Sequence, residues 1–244
     1  MTRRRWIADE VSADRAALVG EHAEHLVRVL RARVGQEFEI ATGETVRRGR
    51  IVSLTANRVE FDLAEEIPVA GAVQITLLLS IFKFDRLEWA IEKCTELGVA
   101  QIIPVIAQRT DSHLAAAAKK RVERWQRIAL QASEQSRRAT PPEIADPIKL
   151  ADALRVPDTI ESVPLKIVLS ESENKTLLRD IVQTSVADGG ILLAVGPEGG
   201  WTDDELESFQ QAGWISSSLG NTILRAETAA IAATAIVASA LFGS

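Results

Sequence analysis

The run Ile191-Leu192-Leu193-Ala194-Val195 leads directly into Gly196-Pro197-Glu198-Gly199-Gly200, and Thr202 is followed three residues later by Glu205. Five consecutive apolar residues fit a strand buried on both faces, the type found in parallel sheets. The Thr-x-x-Glu spacing is a capping box, which satisfies the free amides of a helix start. The chain between 191 and 205 is therefore constrained to strand, glycine-bearing connection and helix. A connection without side chains lets backbone approach a ligand closely, and its amides and carbonyls can recognise a heterocycle edge without any ionised residue. A Gly-Pro turn serving only chain reversal is the plainer reading. The motif is neither GxGxxG nor a Walker loop, so the two commonest nucleotide-binding assignments fail.

The same alternation extends upstream. Strand-like runs at 73–79, 99–106 and 166–169 are separated by helical periods at 86–97, 114–136 and 175–185, followed by 203–211 after the capping box. An α/β domain with a parallel sheet follows. Residues 138–164 contain five prolines and predict a loop with one short helix near 150–154. Before residue 70 the pattern changes to brief β-branched runs at 38–40, 49–54 and 58–63, with turns at Thr42-Gly43-Glu44 and Ala56-Asn57, plus a helical period at 21–30. This predicts a small barrel. Pro68, Ala70 and Gly71 mark the hinge, giving expected domains at 1–70 and 71–244.

A single cysteine, Cys94, excludes an internal disulfide framework, and three scattered histidines do not make up for missing metal ligands, so the chemistry is expected to need no metal. The opening MTRRRWIADE lacks the apolar core of a signal peptide and the apolar runs are too short to span a bilayer, which predicts a cytoplasmic protein without membrane association. Net charge is −6, yet residues 1–58 carry 11 Lys or Arg against 8 Asp or Glu, while the remainder carries 17 against 26. Nucleic-acid contact, if present, is thus expected to be local.

Beyond the helix at 203–211, Ser216-Ser217-Ser218-Leu219-Gly220 offers a second flexible crossing able to face the first. Arg225 and Glu227 then precede an alanine-rich helix at 228–240, read as core or as an interface with a second subunit. Cys94 reads as a small apolar filler, His25 as a core or hydrogen-bonding histidine, His22 as solvent-facing, and His113 as part of a cap beside Asp111. Trp6 either stacks on a base or anchors the first strand, the second being commoner.

Val195-GPEGG-Trp201-Thr202-Asp203-Asp204-Glu205, then Leu219-Gly220, then Ile223-Leu224-Arg225-Ala226-Glu227-Thr228-Ala229 resembles the signature of the uridine N3-methyltransferases of small-subunit ribosomal RNA, members of the trefoil-knotted SPOUT superfamily. Lys83, Arg86 to Glu88, the block from Glu92 to Val99, Pro104, Arg109, Glu134-Gln135-Ser136, Arg138 and His25 to Arg31 extend the resemblance over nearly the whole chain.

The resemblance implies a PUA-like β-barrel that binds RNA, followed by a knotted α/β methyltransferase domain that uses S-adenosylmethionine, acts on 16S ribosomal RNA and forms a homodimer. It places the cofactor on Leu169, Gly196, Pro197, Glu198, Gly199, Gly200, Ser218, Leu219, Gly220, Asn221 and Leu224. Catalytic expectations fall on Glu198, as acceptor of the uracil N3 proton, and on Arg225, as the cation facing O2 or O4. A cap for Glu198 and a structural bridge from Arg225 to Glu227 or Glu198 are the rival roles. RNA contacts are expected at Arg3, Arg4, Arg5, Arg28 and Arg31, with Lys83, Arg109 and Arg138 nearer the site. The family pattern usually carries an arginine near position 222, where this chain has Asn221-Thr222. A non-catalytic RNA-binding assembly factor and a methyltransferase acting on transfer RNA or ribose 2'-OH are the alternatives.

Overall fold

The structure, a computed structural model, describes residues 5–43, 45–68, 74–155, 165–184 and 190–241. Arg3 and Arg4, expected to touch RNA, lie outside the described residues, as do Ala70 and Gly71 of the expected hinge. The chain divides into two compact units, Met1–Gly71 with Leu130–Pro141, and Ala72–Ala129 with Pro142–Ser244. The added segment 130–141 is the difference from a simple break near residue 70.

In the first unit β1 (Arg5–Ile7), β2 (Glu10–Ser12), β3 (Arg15–Val19), β4 (Glu37–Ala41), β5 (Val46–Leu54) and β6 (Arg58–Ile67) form a mixed sheet of order β1-β4-β5-β6-β3-β2. Only β1 and β4 pair in parallel. Alternation along β6 turns Val59, Phe61 and Leu63 into a core with Trp6, Leu18, Leu26, Ile40 and Ile51. Trp6 is thus the strand anchor. The expected strands at 38–40, 49–54 and 58–63 are present and longer, but β1 to β3 gave no readable signal. All of β2 is exposed, and β3 buries three successive residues, Ala16, Ala17 and Leu18, so neither alternates. The helical period at 21–30 becomes α1 (Glu21–Glu24) and a π-helical turn over His25–Val29.

The second unit contains β7 (Ile75–Ser80), α2 (Phe84–Glu96), β8 (Gln101–Ile106), α3 (Ser112–Ala118), α4 (Val122–Gln135), β9 (Glu143–Ile144), β10 (Ile148–Lys149), α5 (Leu150–Ala153), β11 (Leu165–Leu169), α6 (Leu178–Thr184), β12 (Ile191–Val195), α7 (Asp203–Gln211), β13 (Ile215–Ser217) and α8 (Ala226–Leu241), although α4 from Leu130 onward groups with the first unit. The helix expected at 114–136 is two helices, joined by a 3₁₀ turn at Lys119–Arg121. The proline-rich segment holds α5, as expected, and also β9 and β10, whose two residues each are too few to show a period.

Every pair in this sheet is parallel, in the order β10-β8-β7-β12-β11-β13 with β9 also on β8. Side chains alternate between its faces. Ile75, Leu77, Leu79, Ile191, Leu193 and Val195 join residues of α2, α4, α6 and α8 in one core, while Leu78, Ala194, Val168 and Ile103 join α5, α7, Trp201 and Trp214 in the other. Cys94 sits in the first of these cores with Sγ 3.5 Å from Thr234 Oγ1, and burial pushes its thiol up to about 12. Small residues such as Ala230 and Ala233 let α8 pack closely. Among the described residues no helix is long and apolar enough to cross a membrane, and no group of three or more His, Cys, Asp or Glu could hold a metal ion.

Leu193→Ala should destabilise the parallel-sheet unit by about 2–5 kcal/mol in urea unfolding, because a fully buried side chain is lost from the first core. Cys94 should resist thiol reagents in the native protein at about pH 8 and react after unfolding, since only the thiolate is nucleophilic.

Candidate functional site

Parallel pairing brings the carboxyl ends of β11, β12 and β13, at Leu169, Val195 and Ser217, to one edge. That edge is where ligands bind in open α/β sheets. The three loops that leave it enclose a cavity of about 330 Å³, at the small end of the ~300–1,000 Å³ range of small-molecule sites.

Backbone bonds register the loops. Ser170 N–H donates to Ser217 O at 2.9 Å, Ser218 N–H to Thr176 O at 2.9 Å, and Leu178 N–H to Ser218 O at 3.0 Å. The loop after β11 is further turned by Glu173, whose Oε1 accepts from Lys175 N–H at 2.7 Å and Thr176 N–H at 3.0 Å. Those amides hold its carboxyl below the usual range. Trp201 joins two loops: its Nε1–H donates to Leu169 O at 3.1 Å, and a Cβ at Gly196 would lie only 3.2 Å from that nitrogen. Gly196 therefore allows the indole to close the cavity wall. Gly220 has φ +129° with open space where a Cβ would sit, so its constraint is backbone conformation and not crowding.

The expected capping box is formed. Glu205, buried, accepts from Thr202 N–H at 2.9 Å and also from Gln108 N–H at 2.8 Å, tying the loop after β8 to the start of α7. From the same loop Arg109 Nη1 donates to Gly199 O at 2.6 Å and Trp201 O at 3.2 Å. At the opposite end of the glycine loop, Glu198 Oε1 accepts from Arg86 Nη1 at 2.6 Å. Arg86 Nε also lies 3.8 Å from Oε1 of Glu227, a carboxylate in the first turn of α8.

Leu169, Gly196, Pro197, Glu198, Gly200, Ser218, Leu219, Gly220, Asn221 and Leu224 all line the cavity. Gly199 and Arg225 do not. Gly199 instead presents its carbonyl to Arg109, while Arg225 is an exposed residue whose carbonyl accepts from Ala229 N–H at 2.8 Å. The bridge considered from Arg225 to Glu198 is replaced by one from Arg86. Sequence reasoning missed Glu171, Asn174, Trp201 and Ala229 in the lining. The polar cluster Ser170-Glu171-Ser172-Glu173-Asn174 carried a turn signal that could have marked that loop.

Lys83, Arg28 and Arg31 are exposed, and Arg28 pairs with Glu24 at 3.4 Å. Arg5 is a correction. It is only 6% exposed, and its guanidinium donates to Glu39 Oε2 and to the Arg137 carbonyl, so it is occupied inside the first unit and does not present itself to phosphate. Arg138 is half-buried, and burial pushes its guanidinium down to about 10. His22 is a second correction: its side chain is 20% exposed and its Nδ1 lies 3.0 Å from Asp9 Oδ1. Burial raises the Asp9 carboxyl, but the bonds from His22 and Val19 N–H outweigh it and leave a net lowering. His25 packs tilted against Trp6 at 5.8 Å, and Asp111 caps α3 through His113 N–H at 2.8 Å.

Fold and cavity together define a parallel α/β domain with a loop-built small-molecule site at its carboxyl edge. The pattern of the RNA methyltransferase domain family matches residues 70–238. The chain is 35% identical over 234 residues to ribosomal RNA small subunit methyltransferase E of Rickettsia conorii, covering 93% of this chain and 90% of that one. It is 30% identical over 222 residues to the Bacillus subtilis protein of the same name, covering 87% and 85%. A crystal structure of the Neisseria gonorrhoeae member bound to S-adenosylmethionine superposes with a TM-score of 0.83 at 34% identity, covering 96% of this chain and 95% of that one. The chain belongs to the ribosomal RNA small subunit methyltransferase E family. Its curled mixed sheet and its parallel sheet match the architecture of those methyltransferase structures.

Trp201→Phe should cost about 1–3 kcal/mol in urea unfolding, because an aromatic ring remains but is smaller than the buried indole and the Leu169 carbonyl loses its donor.

Proposed function

We propose that this protein transfers a methyl group from S-adenosylmethionine to N3 of one uridine in the 16S ribosomal RNA of the small subunit. The observation that carries the proposal is the cavity at the carboxyl edge of the parallel sheet, walled by two glycine-bearing loops. Its residues fit the cofactor. Leu169, Val195, Leu219 and Ala229 offer an apolar wall to an adenine ring, the loop backbone offers amides and carbonyls, and the charged lining residues Glu171, Glu173 and Glu198 have the sign that suits a cation. When bound, S-adenosylmethionine supplies an electrophilic methyl group on its sulfonium. The protein's own task is to hold the uracil in line and to take a proton.

Glu198 is the proposed acceptor of the N3 proton. Its Oε2 has no hydrogen-bond donor among the described residues, while its Oε1 is held by Arg86. As the proton passes to Oε2, the N3 lone pair forms the new bond to carbon and the sulfonium becomes a neutral thioether. Arg225, exposed beside the loop that precedes α8, is the proposed cation for charge developing on O2 or O4. Asn221 and Thr222 line the cavity where the family pattern has arginine, so this chain supplies amide and hydroxyl groups there.

The first unit is proposed as a PUA-like barrel that binds RNA through Arg28 and Arg31, with Lys83 and Arg109 contributing from the methyltransferase domain. The proposed domains are 1–70 and 71–244, the second without segment 130–141, which groups with the first unit. A trefoil knot is proposed for the carboxy-terminal chain, an exception to the rule against threading. Its support is the loop leaving β13, which is bonded to the loop leaving β11 before α8 packs on α2 and α6. Homodimerisation is proposed on the half-exposed Ile231 and Ile236 of α8, on Trp89, 48% exposed, and on Ile223, 81% exposed. A cytoplasmic location is proposed as well, and the proposed ribosomal substrate is its support.

Labelled methyl transfer from S-adenosylmethionine to unmethylated small subunits and to transfer RNA, followed by nucleoside identification, tests the proposal. N3-methyluridine at a single small-subunit site is expected. Methylated transfer RNA, 2'-O-methylation, or cofactor binding without transfer to any RNA would overturn it, the last in favour of an assembly factor. In calorimetry Gly220→Val should weaken cofactor binding by about tenfold or more, an order set by ~1–3 kcal/mol of backbone strain. Arg28→Ala and Arg31→Ala should each reduce the slope of log affinity against log salt by about 1.

A further inference from the structure

Arg86 takes no part in the cavity wall, yet it is placed between two carboxylates that belong to different elements of the site. One is Glu198, partly exposed on the glycine loop and bonded at 2.6 Å. The other is Glu227, 4% exposed, with Oε1 3.8 Å from Arg86 Nε and Oε2 buried without a hydrogen-bond partner. A buried carboxylate with an oxygen left unbonded needs a nearby positive charge, and Arg86 is the cation paired with it. The guanidinium is thereby retained beside α8 by charge, and its Nη1 remains free to bind the loop.

We infer that Arg86 is a positioning residue: anchored by the buried carboxylate of Glu227, it grips Oε1 of Glu198 and so presents Oε2 to the substrate imide. The inference rests on the proposed role of Glu198 as proton acceptor. The planar guanidinium suits this arrangement, because one rigid group donates through Nη1 to Glu198 while its Nε side faces the Glu227 carboxylate at an ion-pair distance of 3.8 Å. Glu198 lies on a glycine-rich connection, where its own backbone limits the side chain little. A side chain that must meet a proton at hydrogen-bond distance needs an external hold. Glu227, by this account, acts through Arg86 and has no contact with substrate.

The test is a double-mutant cycle on the full-length protein, read as single-turnover methylation of small subunits together with calorimetric affinity for S-adenosylmethionine. Glu198→Gln should slow the methyl-transfer step by about 10²-fold, the low end for loss of a general base. Arg86→Ala should slow it by about tenfold or more and leave cofactor affinity within about threefold. The double variant should be no slower than Glu198→Gln within about threefold, since both changes remove one function. Added guanidinium should restore part of the rate to Arg86→Ala and none to the double variant, a rescue that a merely structural role would not give. Glu227→Gln should show a smaller loss that vanishes in the Arg86→Ala background. Should Arg86→Ala fail to fold, Arg86→Lys enters the same cycle and is expected to retain part of the rate.

Two failures are distinguishable. If Glu198→Gln slows the reaction but the Arg86 loss multiplies in full on top of it, or if Arg86→Ala weakens cofactor binding in proportion to the rate, the positioning role is overturned and Glu198 stands. If Glu198→Gln leaves the rate unchanged, the acceptor role is overturned and the positioning role with it.

Discussion

The parallel pairing of β11, β12 and β13 is the constraint on which the site depends. Because these strands run in one direction, the chain leaves each of them at the same edge, and three loops distant in sequence meet there. The sheet can sustain this only if both its faces are covered, and two separate apolar cores do so with helices above and below. A ligand at the edge is therefore held by loops whose positions follow from strand register.

The cavity is bounded largely by backbone and small or apolar side chains, and its precision comes from Trp201 in its wall and from Glu205, Arg109 and Arg86 outside it. Glu205 serves twice, as the N3 member of a capping box and as acceptor for the Gln108 amide. Arg109 holds the carbonyls of Gly199 and Trp201, and Trp201 holds that of Leu169. With Arg86 on Glu198, the glycine loop is gripped from both sides. Such bonds restrain a connection whose glycines would otherwise sample many conformations, which favours binding by lowering the ordering cost.

The first unit distributes its positive charge unevenly between structure and surface. Arg5 is occupied by Glu39, Arg47 by Asp14 and Arg48 by Glu65, so formal charge overstates what is available to a polyanion. Arg31 lies beyond the π-helical turn with φ +50° and stays exposed, as does Arg28 within the turn. Local exposure, and not the count of arginines, selects the surface proposed for RNA.

Ten of the cavity residues followed from the family resemblance, and the sequence by itself determined the strand, glycine connection and capped helix from 191 to 211 and the alternation of strands with helices. These are local properties: continuous apolarity implies two-sided burial, and a Thr-x-x-Glu box satisfies amides within one turn. Tertiary structure decided what depends on pairing across long separations. The two-residue strands β9 and β10, the unpatterned strands β1 to β3, the grouping of segment 130–141 with the first unit, the burial of Arg5 and the sharing of Arg86 between Glu198 and Glu227 carry no periodic signal. A guanidinium reads as surface in any sequence, and only the fold brings carboxylates 112 residues away or more into contact with it, because a partner's position follows from the packing of whole elements and from no spacing along the chain.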